Sequence, residues 1–185
     1  MEKHKTCSFF GHREIDSTEE LEIRLERVII DLIENENVDT FLFGSRSDFD
    51  NLCHSIVTEL KEKYPHIQRR VYTCRSEACF LEKERAYWEK IYSHLKKRPV
   101  TLLCFEEEIE HGTKYKAGKA GYVERNQAMI NDSDFCVFYY NKNYVLPSKA
   151  NSGTKIAYEY ALRKKKKVVN LFAFWFYKKF KCFIG

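Results

Sequence analysis

Apolar positions in this chain follow two alternating rhythms. Thr6–Phe10 is a short, nearly continuous apolar run that ends at Gly11; beyond it Leu21, Leu25, Val28, Ile29 and Leu32 recur three or four residues apart. The run predicts a strand and the spacing an amphipathic helix, which Ser17-Thr18-Glu19-Glu20 opens with the pattern of a capping box. The unit then repeats. Asp39–Phe43 ends at Gly44, and Phe49, Leu52, Ile56, Val57 and Leu60 carry helical spacing until Tyr64 meets Pro65. His66–Tyr72 predicts a third strand, Glu77–Leu95 a helix closed by Pro99, and Val100–Phe105 a further strand. Glu106–Gly121, acidic and then rich in Gly and Lys, reads as a loop over the site.

The last third is the most sharply patterned. A short helix from Tyr122 to about Asn131 leads through Asp132-Ser133-Asp134 into Phe135–Tyr140, an unbroken apolar run of the kind that needs cover on both faces. Polar residues 141–152 follow, and Gly153-Thr154 opens a helix whose Ile156, Ala157, Tyr160 and Ala161 form an inward stripe. Val168–Phe172 is the final core strand. Strands alternating with helices of these lengths imply right-handed βαβ units, so the expected class is α/β, a Rossmann-like parallel sheet with helices on both faces. A chain of 185 residues suits one domain over 1–172, with 75–117 as a variable insertion and 173–185 as an aromatic and basic tail.

Composition narrows the class further. At 44% hydrophobic and 32% charged, with 7 Gly and 3 Pro, the chain is globular rather than disordered or collagen-like. The net charge of +5 is misleading, because no acid follows Glu159 and the segment beyond Tyr160 holds eight Lys and Arg. A basic face for nucleic acid is therefore not expected. The seven Cys are odd in number and lack C-x-x-C or matched His spacing, so neither a metal site nor a disulfide framework is expected, and no cofactor is implied. With no leader pattern and no apolar run near the ~18 residues of a membrane span, the expected location is the cytoplasm.

In an open parallel sheet, ligands bind outside the carboxyl ends of the strands, which singles out four sets of residues. Gly11-His12-Arg13-Glu14 and Gly44-Ser45-Arg46-Ser47-Asp48 each sit at a strand-to-helix turn. A glycine there permits close backbone approach, while hydroxyls, helix N–H groups and an arginine fork suit phosphate oxygens. The same residues equally make a plain turn, with Ser47 or Asp48 capping the helix. Ser152-Gly153-Thr154 is a phosphate cradle in miniature or an ordinary N-cap. Glu124-Arg125-Asn126 opens the short helix before Phe135–Tyr140, where a buried Arg125 would need an anion and an exposed one would be a solvated face.

Taken together, Tyr122–Met129, Asp134–Phe138 and Ser152-Gly153-Thr154 resemble the core of the SLOG superfamily, whose LOG members are cytokinin-nucleotide phosphoribohydrolases. Cys7–Arg13 and Phe43–Asp50 resemble its YpsA-like branch most closely, over roughly 6–74 and 118–172. The resemblance implies a domain that binds a nucleotide or nucleotide-derived phosphoribose ligand as a sensor or regulatory module. Gly11, His12, Arg13, Gly44, Ser45, Arg46, Ser47, Arg125, Ser152, Gly153 and Thr154 would hold that ligand. The alternative it implies is a phosphoribohydrolase or other nucleotide N-glycosidase. Arg125 matches the LOG arginine that contacts substrate, but Ala157 stands where the LOG pattern has its catalytic Glu, so Glu124 or Glu159 would have to supply the carboxylate. The resemblance also implies homo-oligomers. The tail Phe172–Ile184, with seven aromatics, could serve that contact, lie at a membrane surface, or pack as a final element on the core. Cys53 and Cys136 lie in apolar stretches and read as packing residues, while His54, inside the second helix, reads as a structural or solvated side chain.

Overall fold

The structure, a computed structural model, describes residues 4–44, 47–75, 105–116, 118–143 and 152–172. Six strands form one parallel sheet. They are β1 (Lys5–Gly11), β2 (Val38–Phe43), β3 (Gln68–Thr73), β4 (Glu107–Glu110), β5 (Phe135–Tyr139) and β6 (Lys167–Asn170), in the spatial order β4-β3-β2-β1-β5-β6. Among the described residues four helices flank them: α1 (Glu19–Glu34), α2 (Asp48–Lys63), α3 (Lys119–Asn131) and α4 (Gly153–Arg163). The α/β Rossmann-like architecture expected from the alternating rhythms is the one observed.

Strand periodicity explains why the sheet is apolar on both sides. Along β5, Phe135 and Val137 enter one core with Leu21, Leu25, Ile29, Phe49 and Ile56 of α1 and α2, while Cys136 and Phe138 enter a second with Met129 of α3 and Ala157 and Ala161 of α4. β2 divides likewise, Phe41 and Phe43 facing the first core and Leu42 the second. Successive side chains of a strand point to opposite faces, so an unbroken apolar run is what a doubly covered strand requires. β5 is interior, pairing with β1 on one side and β6 on the other.

Three local readings are corrected. The 106–121 stretch is not wholly a loop: Glu107–Glu110 pairs in parallel with Arg70–Thr73 as an edge strand, and none of residues 105–116 lines the cleft described below. Its Glu-Glu-Ile-Glu sequence carries no apolar alternation because only Ile109 packs, half-buried, against the second core; backbone pairing and ion pairs hold the rest. Arg69 forks onto Glu106 at 2.7 and 3.2 Å, and Arg70 pairs with Glu107 at 2.8 Å. Next, α3 begins at Lys119, three residues before the apolar pattern starts. Finally, α1 is capped by Thr18, whose hydroxyl accepts from Leu21 N–H at 3.2 Å, while Ser17 donates to Glu22, so the Ser17–Glu20 box is not formed. The expected Glu77–Leu95 helix and all of Val100–Phe105 but Phe105 lie outside the described residues, as does the tail from 173.

Candidate functional site

The chain runs outward from β1 to β4 and then returns to lay β5 against the other side of β1. Connections therefore leave these two neighbours in opposite directions and open a crevice at their carboxyl ends, the place where such sheets bind ligands. A cleft of about 490 Å³ lies there. It is lined from β1 and its turn by Gly11, His12, Arg13 and Glu14, and from the start of α2 by Gly44, Ser47 and Asp50. The start of α3 adds Lys119, Tyr122, Val123, Arg125 and Asn126, and that of α4 adds Ser152, Gly153 and Thr154. Members of all four sequence-derived sets thus line one cavity, though Glu124 does not. Ser45 and Arg46 lie outside the described residues.

Each set is fixed by a specific local device. Ser47 caps α2, its hydroxyl accepting from Asp50 N–H at 3.0 Å, and Ser152 caps α4 by accepting from Lys155 N–H at 3.1 Å. Thr154 Oγ1 donates to the Gly11 carbonyl at 2.7 Å, which ties the start of α4 to the end of β1. Gly153 is exposed, and a Cβ built on it would meet nothing within 4 Å. The first turns of α2 and α4 therefore converge on the cavity, each with the partial positive charge of a helix start, while in α2 the Asp48 and Asp50 N–H groups donate to the Arg13 carbonyl and the Ser47 hydroxyl.

Glycines 11 and 44 do different work. A Cβ on Gly11 would lie within 2.6 Å of three Phe49 side-chain atoms, so its absence lets α2 sit tightly on β1. A Cβ on Gly44 would lie 3.1–3.2 Å from the Arg125 guanidinium, so this glycine makes room for that group at the cleft wall. Arg125 is 6% exposed, and its guanidinium carbon stands 5.0 Å from the centre of the Tyr122 ring. A buried guanidinium is stable only among hydrogen-bond acceptors or negative charge. Asn126 Oδ1 accepts from it at 3.4 Å.

His12 is 8% exposed and accepts from Asn141 N–H through Nε2 at 3.1 Å. Burial lowers its pKa from the ordinary histidine value, and an accepting Nε2 requires the neutral ring with its proton on Nδ1. The preceding residue, Tyr140, is held by Asn170, whose side-chain amide accepts from Tyr140 N–H at 3.1 Å and donates to the Tyr140 carbonyl at 3.0 Å.

The two glutamates proposed as catalytic alternatives do not line the cleft. Glu124 accepts from Tyr115 N–H at 3.3 Å, and Glu159 is exposed on α4, 3.9 Å from Lys155. Ala157 is buried in the second core. The carboxylates that do line the cavity are Glu14 and Asp50. Asp50, 5% exposed, accepts from Gly44 N–H at 3.4 Å, and sequence reasoning did not single it out. Among the described residues no cluster of three His, Cys, Asp or Glu is placed to hold a metal ion. Cys7, Cys53 and Cys136 are buried, and that burial pushes the Cys7 and Cys53 thiols well up and Cys136 up to about 11, which disfavours the thiolate form.

A single parallel sheet whose β1/β5 crevice gathers two capped helix starts and a buried arginine defines a Rossmann-like α/β domain. Within that class, the YpsA family model, described as the YspA SLOG family, matches residues 7–174, and the chain belongs to that family. No curated protein matches the chain. No helix among the described residues is long and apolar enough to cross a membrane.

Proposed function

We propose that the protein binds a nucleotide or nucleotide-derived phosphoribose ligand in the β1/β5 cleft and acts as a sensor or regulatory module. The observation that carries this reading is the buried Arg125 guanidinium in a cavity that also receives the first turns of α2 and α4. Helix starts offer N–H groups and partial positive charge to phosphate oxygens, and the guanidinium adds a fork of charged donors. Lys119 at the rim adds a further positive charge. The volume of about 490 Å³ falls in the range of small-molecule sites. Glycosidic cleavage by Glu124 or Glu159 is disfavoured because both lie outside the cavity lining and Ala157 holds no carboxylate, which leaves binding as the reading these residues support.

Calorimetric titration of nucleoside monophosphates, dinucleotides and phosphosugars, paired with an assay for released base, tests the proposal. At least one ligand binds and no base is released. Absence of binding across the set overturns the binding reading; base release overturns the sensor reading in favour of a nucleotide N-glycosidase. The proposal extends to a cytoplasmic homo-oligomer, which light scattering would register as a mass above the 22.1 kDa monomer.

A further inference from the structure

The sheet ends in two short strands, β4 on one side and β6 on the other, and among the described residues each pairs with a single neighbour. Such an edge offers backbone groups to another chain, and the charges along it decide which chain it accepts. The two edges carry opposite charge. β4 is Glu-Glu-Ile-Glu, with all three glutamates exposed. Arg70 answers Glu107, and Arg69 and Lys61 answer the preceding Glu106. Glu108 accepts from the Thr73 hydroxyl at 3.3 Å, and no cation among the described residues stands within ion-pair distance of Glu108 or Glu110.

At the other edge Arg163-Lys164-Lys165-Lys166-Lys167 runs from the end of α4 into β6. Lys166 directs its ammonium to the Asn131 and Ser133 carbonyls, and Lys167 shares Glu36 with Lys5. Arg163 and Lys164 stand over the Tyr160 ring at 5.5 and 5.4 Å. These two and Lys165 are exposed and have no carboxylate partner among the described residues. Two β4 edges brought together set glutamate against glutamate, and two β6 edges set cation against cation. Both symmetric pairings are repelled, and only β4 against β6 is attractive.

We propose that the protein self-associates edge to edge, the acidic β4 edge of one copy docking on the basic β6 edge of the next. The inference rests on the homo-oligomer reading above and deepens it by naming the surface and its sense. The contact joins unlike surfaces, so it propagates into a ring or a filament instead of stopping at a two-fold dimer. Because the charges are exposed, salt weakens it.

Sedimentation velocity on the full chain, at low and high salt over a wide range of protein concentration, tests the proposal. Glu108→Lys with Glu110→Lys reverses the acidic edge, and Lys164→Glu with Lys165→Glu reverses the basic one. None of these positions lines the cleft, and circular dichroism with thermal melting checks that each variant folds. At low salt the wild type grows past the dimer as concentration rises, and in high salt it returns toward 22.1 kDa. Each reversal alone weakens self-association about tenfold or more. Mixing the two variants restores assembly, as does placing both reversals in one chain, because unlike edges then meet again. A wild type that stays monomeric at low salt overturns both the inference and the homo-oligomer reading, and leaves ligand binding in the cleft unaffected. Oligomers that the reversals do not weaken, assembly that stops at a dimer, or reversed variants that stay monomeric when mixed overturn the inference alone. Where a reversal does not fold, Glu108→Gln with Glu110→Gln and Lys164→Gln with Lys165→Gln replace the two variants. Each alone then loses assembly, and their mixture forms a mixed dimer through the two edges left intact; a mixture that stays monomeric overturns the inference.

Discussion

At the scale of single residues, what the sequence motifs offered was position, and what the structure adds is the job at each position. Gly11 looked like a point of ligand approach, yet the nearest demand on it is Phe49 of α2. Thr154 looked like a cradle hydroxyl, and its proton is directed to the Gly11 carbonyl. Asp50 escaped notice because an acid in the first turn of a helix is ordinary complement to the helix dipole; only its 5% exposure and its cleft position distinguish it. Ala157 stands where the related enzymes carry a glutamate, but it is 1% exposed in the core with Phe138 and Met129. Ala157→Glu therefore buries an unpartnered carboxylate in a packed apolar layer, a change expected to remove several kcal/mol of stability. Thermal melting checks this: a large loss of Tm, or insoluble protein, is expected, and a variant as stable as the wild type would show that this helix face opens to solvent.

At the scale of elements, legibility followed burial. β5 was readable because each of Phe135–Phe138 is covered by α1 and α2 or by α3 and α4. β4 was not, because Glu107, Glu108 and Glu110 are exposed and the strand is specified by pairing with β3 rather than by side-chain period. The β3–β4 edge instead depends on charge. Burial alone would raise the Glu106 pKa, but hydrogen bonds from the Arg69 side chain and backbone, with the charges of Arg69 and Lys61, bring it down to about 2. Because the folded pKa lies below the unfolded one, the unfolded chain binds the extra proton between them. The stabilisation is complete above about pH 4.5 and is lost as pH falls toward 2. Glu106→Gln should accordingly lower Tm at neutral pH and flatten its fall across pH 4.5 to 2. A variant with the same acid profile as the wild type would contradict the assignment of that fall to this edge.

At the scale of the molecule, the fold makes a site by topology. Residues 11, 44, 125 and 154 are far apart in sequence and adjacent only because β5 returns beside β1. Strand and glycine positions let the sequence place the four sets at strand ends, but not show that they share one cavity, since that depends on strand order. The central claim is that Arg125 holds the phosphate of a nucleotide in that cavity. Comparing the affinity of wild type and Arg125→Ala for the tightest-binding ligand tests it most directly. Loss of a charge-assisted hydrogen bond predicts a drop of about 1.5–3 kcal/mol, roughly one to two decades in Kd, in a variant that still folds. A folded Arg125→Ala protein that binds the same ligand as tightly as the wild type would contradict the account.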